Sequence, residues 1–472
     1  MTQQLQVSLR DKAWARWTVL ILIALTMFFA YMFVDVLSPI KTMLEKDINW
    51  NSTVFGIYGG SEFFLNVFAF FLIFAGIILD KMGVRFTAIL SGGLMVIGAG
   101  IKVYALSPYF LNGGFGYDLL NSFWSEFPAS AKLASLGFMI FGCGTEMGGV
   151  TVSRAIVKWF EGKEMALAMG IEMAIARLGV FAVFWLSPIF YEAFTSVQAP
   201  VIFCFILLCI GLILYFVYAV FDVQLDKENP HHMASDEESF KFKDLSKVFG
   251  NPTFWLVALL CVLYYSAIFP FQKFATEMLS SNVGLHPHWA SRIFSLFPVG
   301  AMIITPFLGA YLDYKGKGAT MLMIGSILMI LCHLTFAFLP SFGFEKGSSI
   351  MITIAVVAII LLGISFSLVP AALWPSMPKL IDKRVLGSAY SATFWIQNIG
   401  LMSVPIIIGK VLDAVNDGNI GGSKDYFLAM LIFASFGVIA LVLSVLLKYF
   451  DRKKGYGLEL PNVAKAKEEE IH

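Results

Sequence analysis

A short sequence that occurs twice decides the fold. Residues 76–85 read Gly76-Ile-Ile-Leu-Asp80-Lys-Met-Gly83-Val-Arg85, and residues 309–316 read Gly309-Ala-Tyr-Leu-Asp313-Tyr-Lys-Gly316. The matching glycines and aspartates lie about half of the 472-residue chain apart. A single Gly-x-x-x-Asp pattern carries little information, but two copies at the same offset predict a chain built as two tandem halves.

The composition predicts that lipid surrounds most of the chain. Hydrophobic residues make up 58% of the sequence and charged residues only 14%, and the mean hydropathy is +0.79. A soluble globular chain is nearer 25% charged, so this chain has too few charges to coat a water-soluble body of its size. The net charge of +1 says nothing about nucleic acid, but no basic stripe resembles a nucleic-acid-binding surface, so we expect no nucleic-acid partner.

The apolar runs predict an all-α integral membrane protein with twelve transmembrane helices in two pseudo-symmetric six-helix bundles. Runs of about 20 residues cross a hydrocarbon core about 30 Å thick, and backbone groups in lipid must be satisfied within a helix. We place the helices near 17–40, 53–79, 85–106, 133–157, 165–191, 199–221, 253–279, 289–312, 319–340, 348–374, 387–411 and 425–449. The predicted units are a first bundle at 1–222, a cytoplasmic linker at 223–252, a second bundle at 253–450 and a polar tail at 451–472.

Basic residues predict the orientation. Lys and Arg are concentrated before helix 1, after helix 12 and in the loops 2–3, 4–5, 8–9 and 10–11, whereas the opposite loops carry fewer. By the positive-inside rule both termini face the cytoplasm. The two copies of the repeated sequence then close helices 2 and 8 at the cytoplasmic face. Their glycines would let a neighbouring helix approach closely, and their aspartates would face the positive N-terminus of another helix.

This pair of sequences resembles the loop signature of the major facilitator superfamily, and the resemblance covers the whole chain. It implies alternating access by rocking of two bundles around a central site. It also implies a cytoplasmic latch between the bundles in one end state. The residues that match the latch, with Arg154 as a basic partner for Asp80, are Gly76, Asp80, Gly83, Arg154, Gly309, Asp313 and Gly316.

Further motifs resemble one branch of that superfamily, the lysosomal dipeptide transporters. They are Gly144-Thr145-Glu146, residues 159–164 and 173–179, residues 264–271, Ala372-Leu-Trp374-Pro, and Ile396-Gln397-Asn398-Ile-Gly400. The resemblance implies a transporter of dipeptides. No acidic dileucine sorting signal precedes Trp17. We therefore expect a bacterial relative in the plasma (inner) membrane rather than a lysosomal protein.

Two opposite charges near the middle of adjacent helices are the main candidates for substrate contact. Glu146 lies near the middle of helix 4 and Arg177 near the middle of helix 5. Ionisable side chains at this depth are functional candidates, because burying them in the bilayer is unfavourable. Arg offers a planar fork for a carboxylate and Glu could accept an ammonium, so together they match a zwitterion. The resemblance implies that they hold the substrate termini. The alternative is a structural ion pair between helices 4 and 5.

Four further charges are candidates for coupling or gating. Glu62 in helix 2 is a proton site or a second contact for a cationic side chain, and Asp35 lies near the outer end of helix 1. Lys273 and Glu277, four residues apart in helix 7, either pair along one helix or form an outer gate with Asp35. The uncharged substrate-binding candidates are the second-half residues Tyr265, Trp374, Gln397 and Asn398, because aromatic walls with a few amides accept varied side chains.

Missing motifs narrow the function. The sequence has no phosphate-binding GxxxxGK[ST] loop, no HExxH or CxxC metal pattern and no GxSxG nucleophile elbow. We expect a transporter and not an enzyme, with no cofactor or metal, a small-molecule substrate, the bilayer as its solvent and a monomeric state. An organic-anion transporter of the same fold, with Arg177 on a carboxylate and Glu146 as the coupling residue, remains a rival. So does a non-transporting receptor.

Overall fold

The computed structural model describes residues 8–228, 242–417 and 421–461, and all regular structure within them is helical. The α-helices are α1 (Ala13–Val34), α2 (Lys41–Ile48), α3 (Ser52–Ser61), α4 (Phe64–Phe68), α5 (Phe71–Ala105), α6 (Pro108–Leu111), α7 (Tyr117–Asn121), α8 (Ala129–Phe160), α9 (Met165–Phe194), α10 (Ala199–Glu228), α11 (Leu245–Phe249), α12 (Pro252–Val283), α13 (Pro287–Phe294), α14 (Leu296–Lys315), α15 (Gly318–Phe338), α16 (Ser349–Leu380), α17 (Leu386–Val415) and α18 (Phe427–Lys454). Short 3₁₀ turns occupy Leu9–Asp11, Ser38–Ile40, Phe242–Asp244, Leu339–Phe342 and Lys383–Val385. Part of the predicted linker, 229–241, falls outside the described residues.

Eleven helices within the described ranges are long and apolar enough to span a membrane. The predicted helix 2 (53–79) is the exception, because it is divided into α3, α4 and the start of α5. Phe70 has a left-handed φ of 52°, which separates α4 from α5, and Gly83 inside α5 has a φ of 77°. Helix 2 thus turns into helix 3 at Gly83. Together with the eleven long helices, this segmented crossing gives twelve within the described residues, the number predicted from the sequence.

The two halves repeat the same packing. In the first bundle (residues 13–228) α1 packs on α9 and α10, and α5 packs on α8 and α10. In the second bundle (residues 252–454) α12 packs on α17 and α18, and α15 packs on α16 and α18. The turn glycines of the two repeated sequences, Gly83 and Gly316, both have positive φ values, of 77° and 75°. The internal repeat in the sequence is therefore a repeat in the structure.

The bundles are joined at one end. We call the end with the Lys- and Arg-rich loops the inner end and the opposite end the outer end. At the outer end α3 packs against α17 so closely that a Cβ on Gly56 or Gly60 would lie 2.2 Å from the carbonyl oxygen of Pro405 or Met402. At the inner end nothing lies within 4 Å of a Cβ placed on Gly76, Gly83 or Gly309. The structure is therefore closed outside and open inside.

Candidate functional site

Glu146 and Arg177 lie at similar depth in neighbouring helices. At 1.5 Å per residue, Glu146 is about 21 Å along α8 from its inner end at Phe160, and Arg177 is about 18 Å along α9 from Met165. Both side chains are partly buried rather than sealed in the core. Each charge therefore lies near the middle of the first bundle and keeps part of its surface exposed.

The two charges do not pair with each other. Within the described residues neither Glu146 nor Arg177 has an oppositely charged side chain within 4.0 Å. The Glu146 carboxylate contacts Asn398 of α17, and the Arg177 guanidinium lies 4.8 Å from the ring centroid of Phe366 in α16. Both first-bundle charges thus point to the second bundle, and the structural pair considered from the sequence is not formed in this conformation.

Aromatic side chains of the second bundle surround Arg177. The Tyr265 ring stacks on Phe269 at 5.5 Å between centroids, and Phe366 lies edge-on to Phe269 at the same distance. The Tyr265 hydroxyl lies next to the indole of Trp374, whose ring stacks on Phe394. These residues form an apolar wall opposite the charges.

Two amides lie on α17 next to this wall. Gln397 accepts a hydrogen bond from the Cys261 thiol at 3.2 Å, and Asn398 contacts Glu146. Both amides are buried. Gln397 therefore joins α17 to α12 within the second bundle, whereas Asn398 crosses to the first bundle.

Asp35, Glu62 and Lys273 form a buried group between the bundles, further toward the outer end. Lys273 Nζ of α12 lies 3.8 Å from Glu62 Oε2 and 4.0 Å from Asp35 Oδ1. Asp35 also accepts hydrogen bonds from the Ser38 hydroxyl at 3.2 Å and from Gln272 Nε2 at 2.5 Å. Lys273 and Glu277 have different partners, so the pairing along one helix is not what the structure contains.

Glu277 belongs to a second charge group at the outer surface, the outer ion-pair network of Lys41, Glu45, Glu277 and Lys424. Lys41 Nζ lies 2.5 Å from Glu277 Oε2 and 3.8 Å from Glu45. Lys424 Nζ lies 2.6 Å from Glu45 and 3.7 Å from Glu277. Each cation therefore binds one carboxylate of each bundle.

The outer network stabilises the positive charge of Lys424 although all four of its side chains are buried. All four side chains are at most 3% exposed. Burial alone would lower the pKa of Lys424, but the carboxylates of Glu277 and Glu45 outweigh it, so the pKa of this ammonium lies above its ordinary value. Close by, the Asp413 carboxylate of α17 accepts the backbone N–H groups of Ser52 and Thr53 at 3.0 and 2.7 Å, and so caps α3 from the other bundle.

The two copies of the predicted inner latch, one in each bundle, do not contact each other in this conformation, but the Arg154–Asp80 pair is formed. Arg154 Nη2 is 4.0 Å from Asp80 Oδ1, within the first bundle. The close helix approach expected at Gly76, Gly83 and Gly309 is not made, since nothing lies within 4 Å of a Cβ placed there. Gly316 does have a close neighbour, since a Cβ there would lie 2.4 Å from the carbonyl oxygen of Glu459. Asp313 lies in the same region of the second bundle, at the end of α14.

Several residues of the site were not identified from the sequence. From the sequence, Lys41, Glu45 and Lys424 were interpreted only as charges of the outer loops. The equal numbers of acidic and basic residues in 41–47 were a sign that Lys41 and Glu45 form ion pairs. Tyr31, near both Arg177 and Glu146, and Phe366, under Arg177, have no distinguishing pattern in an aromatic-rich chain.

Comparison with known proteins agrees with this architecture. The sequence matches the Major Facilitator Superfamily over residues 23–405. It is 27% identical over 466 residues to the lysosomal dipeptide transporter MFSD1 of Homo sapiens, covering 97% of this chain and 90% of that protein. The MFSD1 of Danio rerio is also 27% identical, over 459 residues, with coverages of 95% and 90%.

Solved structures show the same fold. The nucleoside transporter NupG superposes with a TM-score of 0.64, and one of its variants with 0.68, each at 13% sequence identity and covering 91% of this chain and 99% of the other. The chain is a multi-pass integral membrane protein and a transporter rather than an enzyme.

Proposed function

Because the chain belongs to the Major Facilitator Superfamily, we propose that it carries small zwitterionic peptides, in the simplest case dipeptides, by alternating access. The observation that carries this proposal is the pair of unneutralised charges at mid-membrane depth, Glu146 and Arg177. An ion without a partner is unfavourable in the bilayer, so a ligand that supplies both opposite charges would be bound strongly.

The two ends of a dipeptide fit the two charges by their chemistry. Arg177 presents a planar guanidinium that can bind a carboxylate through two parallel hydrogen bonds. Glu146, with the Asn398 amide beside it, can accept hydrogen bonds from an ammonium. The MFSD1 relatives are named as dipeptide transporters, and that name supports the same assignment.

The side-chain contacts would come from the second bundle. Tyr265, Phe366 and Trp374 offer ring faces and one hydroxyl, which accept varied side chains without demanding one charge. We therefore expect the ends of the peptide to set affinity and its side chains to matter less. One bundle would then bind the ends of the peptide, and the other would bind its side chains. Occupancy of the site by the peptide would therefore depend on how closely the two bundles approach each other.

The conformation fits one half of a transport cycle. The outer network of Lys41, Glu45, Glu277 and Lys424 joins the bundles outside, while the repeated turns at Gly83 and Gly316 are apart inside. In the opposite state the outer network would separate and the turns would approach. Alternating exposure of a central site between these two states is transport.

Ligand-induced thermal stabilisation of the detergent-purified protein tests the substrate class. A ligand that binds only the folded protein raises the melting temperature in a concentration-dependent manner, by about 2.7 kcal/mol of stability at 100 times its Kd. We expect dialanine to stabilise the protein and alanine, trialanine and succinate to stabilise it less. The Glu146→Gln and Arg177→Ala variants should lose the effect, while Glu172→Gln, a neutralised glutamate elsewhere on α9, should retain it.

N-acetyl-dialanine separates this function from its rival. The acetylated peptide keeps the carboxylate for Arg177 but offers no ammonium to Glu146. If it stabilises the protein as well as dialanine does, the zwitterion proposal is wrong, and an organic-anion transporter with Glu146 in a coupling role replaces it.

A further inference from the structure

The connection between α5 and α8 carries exposed apolar side chains at the outer end of the first bundle. We call this connection, residues 106–128 with α6 and α7, the outer loop. The matching connection of the second bundle, 339–348, is less than half as long. Phe115 is 87% exposed and Leu119 is 72% exposed. The aromatic residues of the outer loop that are also more than half exposed are Tyr109, Phe123 and Trp124. A cluster of this kind on a folded protein marks a contact surface.

Both flanking helices hold the outer loop in place. The Tyr104 hydroxyl of α5 donates a hydrogen bond to the carbonyl oxygen of Phe115 at 3.0 Å. The Lys132 ammonium of α8 donates to the carbonyl oxygen of Leu120 at 2.5 Å and to that of Phe123. The same ammonium lies 4.3 Å from the centroid of the Phe123 ring. These contacts fix the backbone on both sides of α7, so the exposed apolar side chains are held away from the protein.

The outer loop is attached to the lipid-facing side of α5. Tyr104 follows Phe86, Gly93 and Ile97 at whole turns of the helix, so these four residues share one face. Phe86 and Ile97 are large exposed hydrophobic residues, and nothing lies within 4 Å of a Cβ placed on Gly93. In a helix that spans a membrane, an apolar face without protein neighbours contacts lipid. The outer loop therefore continues a lipid-facing strip.

The outer loop also lies at the depth of the bilayer interface. The chain turns at Gly83, and the regular part of α5 then runs from Arg85 at the inner end to Tyr104. At 1.5 Å per residue these two residues are about 28 Å apart, close to the hydrocarbon thickness of about 30 Å. Tyr104 and the loop that follows it are therefore at the headgroup level of the outer leaflet, the leaflet at the outer end.

The composition of the outer loop fits this environment. Between Ser107 and Phe127 its charged residues are Asp118 and Glu126, and both are exposed. Tyr and Trp are enriched at membrane interfaces, because their rings are apolar while the O–H or N–H group reaches water. Lipid is favoured over a partner protein as the contact, because the loop continues the strip of α5 that faces lipid.

We propose that the outer loop is an interfacial anchor, which inserts Phe115, Leu119 and Phe123 into the headgroup and upper acyl-chain region of the outer leaflet. The three side chains are spaced four residues apart, with Leu119 at the centre of α7. Apolar surfaces of this kind enter the interface by about 5–10 Å. The insertion holds the outer ends of α5 and α8 at one depth in the bilayer.

The accessibility of spin labels in liposomes tests the proposal. Leu119→Cys and Asn121→Cys are each introduced into the full-length protein carrying Cys209→Ser, because the other four cysteines are buried. Both labelled positions are exposed, and they lie on opposite sides of α7. The measurement compares collisions of each label with oxygen, which concentrates in lipid, and with a nickel chelate, which stays in water. The vesicles contain phosphatidylethanolamine and phosphatidylglycerol, with the chelate on both sides.

We expect the label at position 119 to collide with oxygen several-fold more often than with the chelate, and the label at position 121 to show the reverse. Phe115→Cys should behave like Leu119→Cys. Equal chelate collisions at positions 119 and 121 would mean that the loop projects into water, and would overturn the proposal. Protection of position 119 from both reagents would also overturn it, because a protein surface such as a second copy of the chain would then cover the loop.

Fluorescence quenching gives a second measurement that needs no label. Lipids with bromine on the acyl chains just below the headgroups quench nearby tryptophans. The difference between the emission of wild type and that of Trp124→Phe isolates the contribution of Trp124, which lies on the exposed side of the outer loop. We expect these lipids to quench that difference more strongly than lipids brominated near the bilayer centre do. A difference signal that neither lipid quenches contradicts the proposal.

Discussion

Lys41 of the first bundle donates to Glu277 of the second at 2.5 Å, and both side chains are almost completely buried. The two residues belong to opposite halves of the chain and meet at the outer surface. Removing one partner of a buried ion pair leaves the other charge uncompensated, which typically costs about 3–5 kcal/mol. The stability of the conformation that is closed at the outer end therefore depends on both Lys41 and Glu277.

The first prediction concerns this pair. Lys41→Met should destabilise the closed outer end relative to the open one and shift the equilibrium toward outward-open, by about two to three orders of magnitude. Spin-label distances across the outer ends of α3 and α17 would measure the shift. Lys46→Met is the matched control, since Lys46 is exposed on the same helix and outside the network. Equal distances in Lys41→Met and wild type would contradict the role of the network.

The second prediction concerns the shape of the carboxylate contact. Arg177→Lys keeps the positive charge but removes the planar fork, so dialanine affinity should fall about tenfold to a hundredfold. Calorimetric titration of the purified protein measures the change. Arg292→Lys is the control, because Arg292 lies over Trp185 and Trp289, away from the site. Affinity equal to wild type in Arg177→Lys would mean that a point charge is sufficient.

The third prediction concerns the close contact between α3 and α17 at the outer end. A Cβ on Gly60 would lie 2.2 Å from the carbonyl oxygen of Met402, so Gly60→Ala should prevent complete outer closure. Labelling of a cysteine introduced at the outer end should become faster than in the parent protein. Gly93→Ala on α5 makes the same chemical change where nothing lies within 4 Å, and its labelling rate should not change. Slow labelling in Gly60→Ala would show that the helices adjust to the added methyl.

The fourth prediction concerns the C-terminal segment 456–461. The Glu459 carboxylate accepts hydrogen bonds from the Thr320 backbone at 2.8 Å and from its hydroxyl, at the start of α15. Glu459→Ala should cost about 1–2 kcal/mol and lower the melting temperature by a few degrees. Lys453→Ala, an exposed change nearby, is the control. A melting temperature as in wild type would show that the segment does not stabilise the second bundle.

The sequence was sufficient to predict the structural features that depend on local residue patterns. Hydropathy located the spans, and the repeated turn predicted two halves, since Gly83 and Gly316 share the same left-handed backbone. Distance along a helix put Glu146 and Arg177 at mid-membrane. Hydropathy could not show the division of helix 2, because the apolar run continues through Phe70, whose positive φ depends on its packing in the folded protein.

The sequence could not predict which residues of the two bundles contact each other. Lys41 and Glu277 are separated by more than 200 positions, and nothing local to either residue specifies the other. Lys102 looks like an ordinary residue at a helix end, and only the folded protein shows four aromatic rings within 6 Å of its ammonium. Contacts that change during function are of this long-range kind.

The contact between α3 and α17 also determines how the outer ends can part. Three backbone approaches, Ser52 to Gly409, Gly56 to Pro405 and Gly60 to Met402, recur about one turn apart along both helices. Sliding along the axis by less than a turn of about 5.4 Å would bring side chains rather than glycines against the opposing carbonyls. Shear is therefore blocked, and the two helices must separate by a hinge motion that lifts them directly apart.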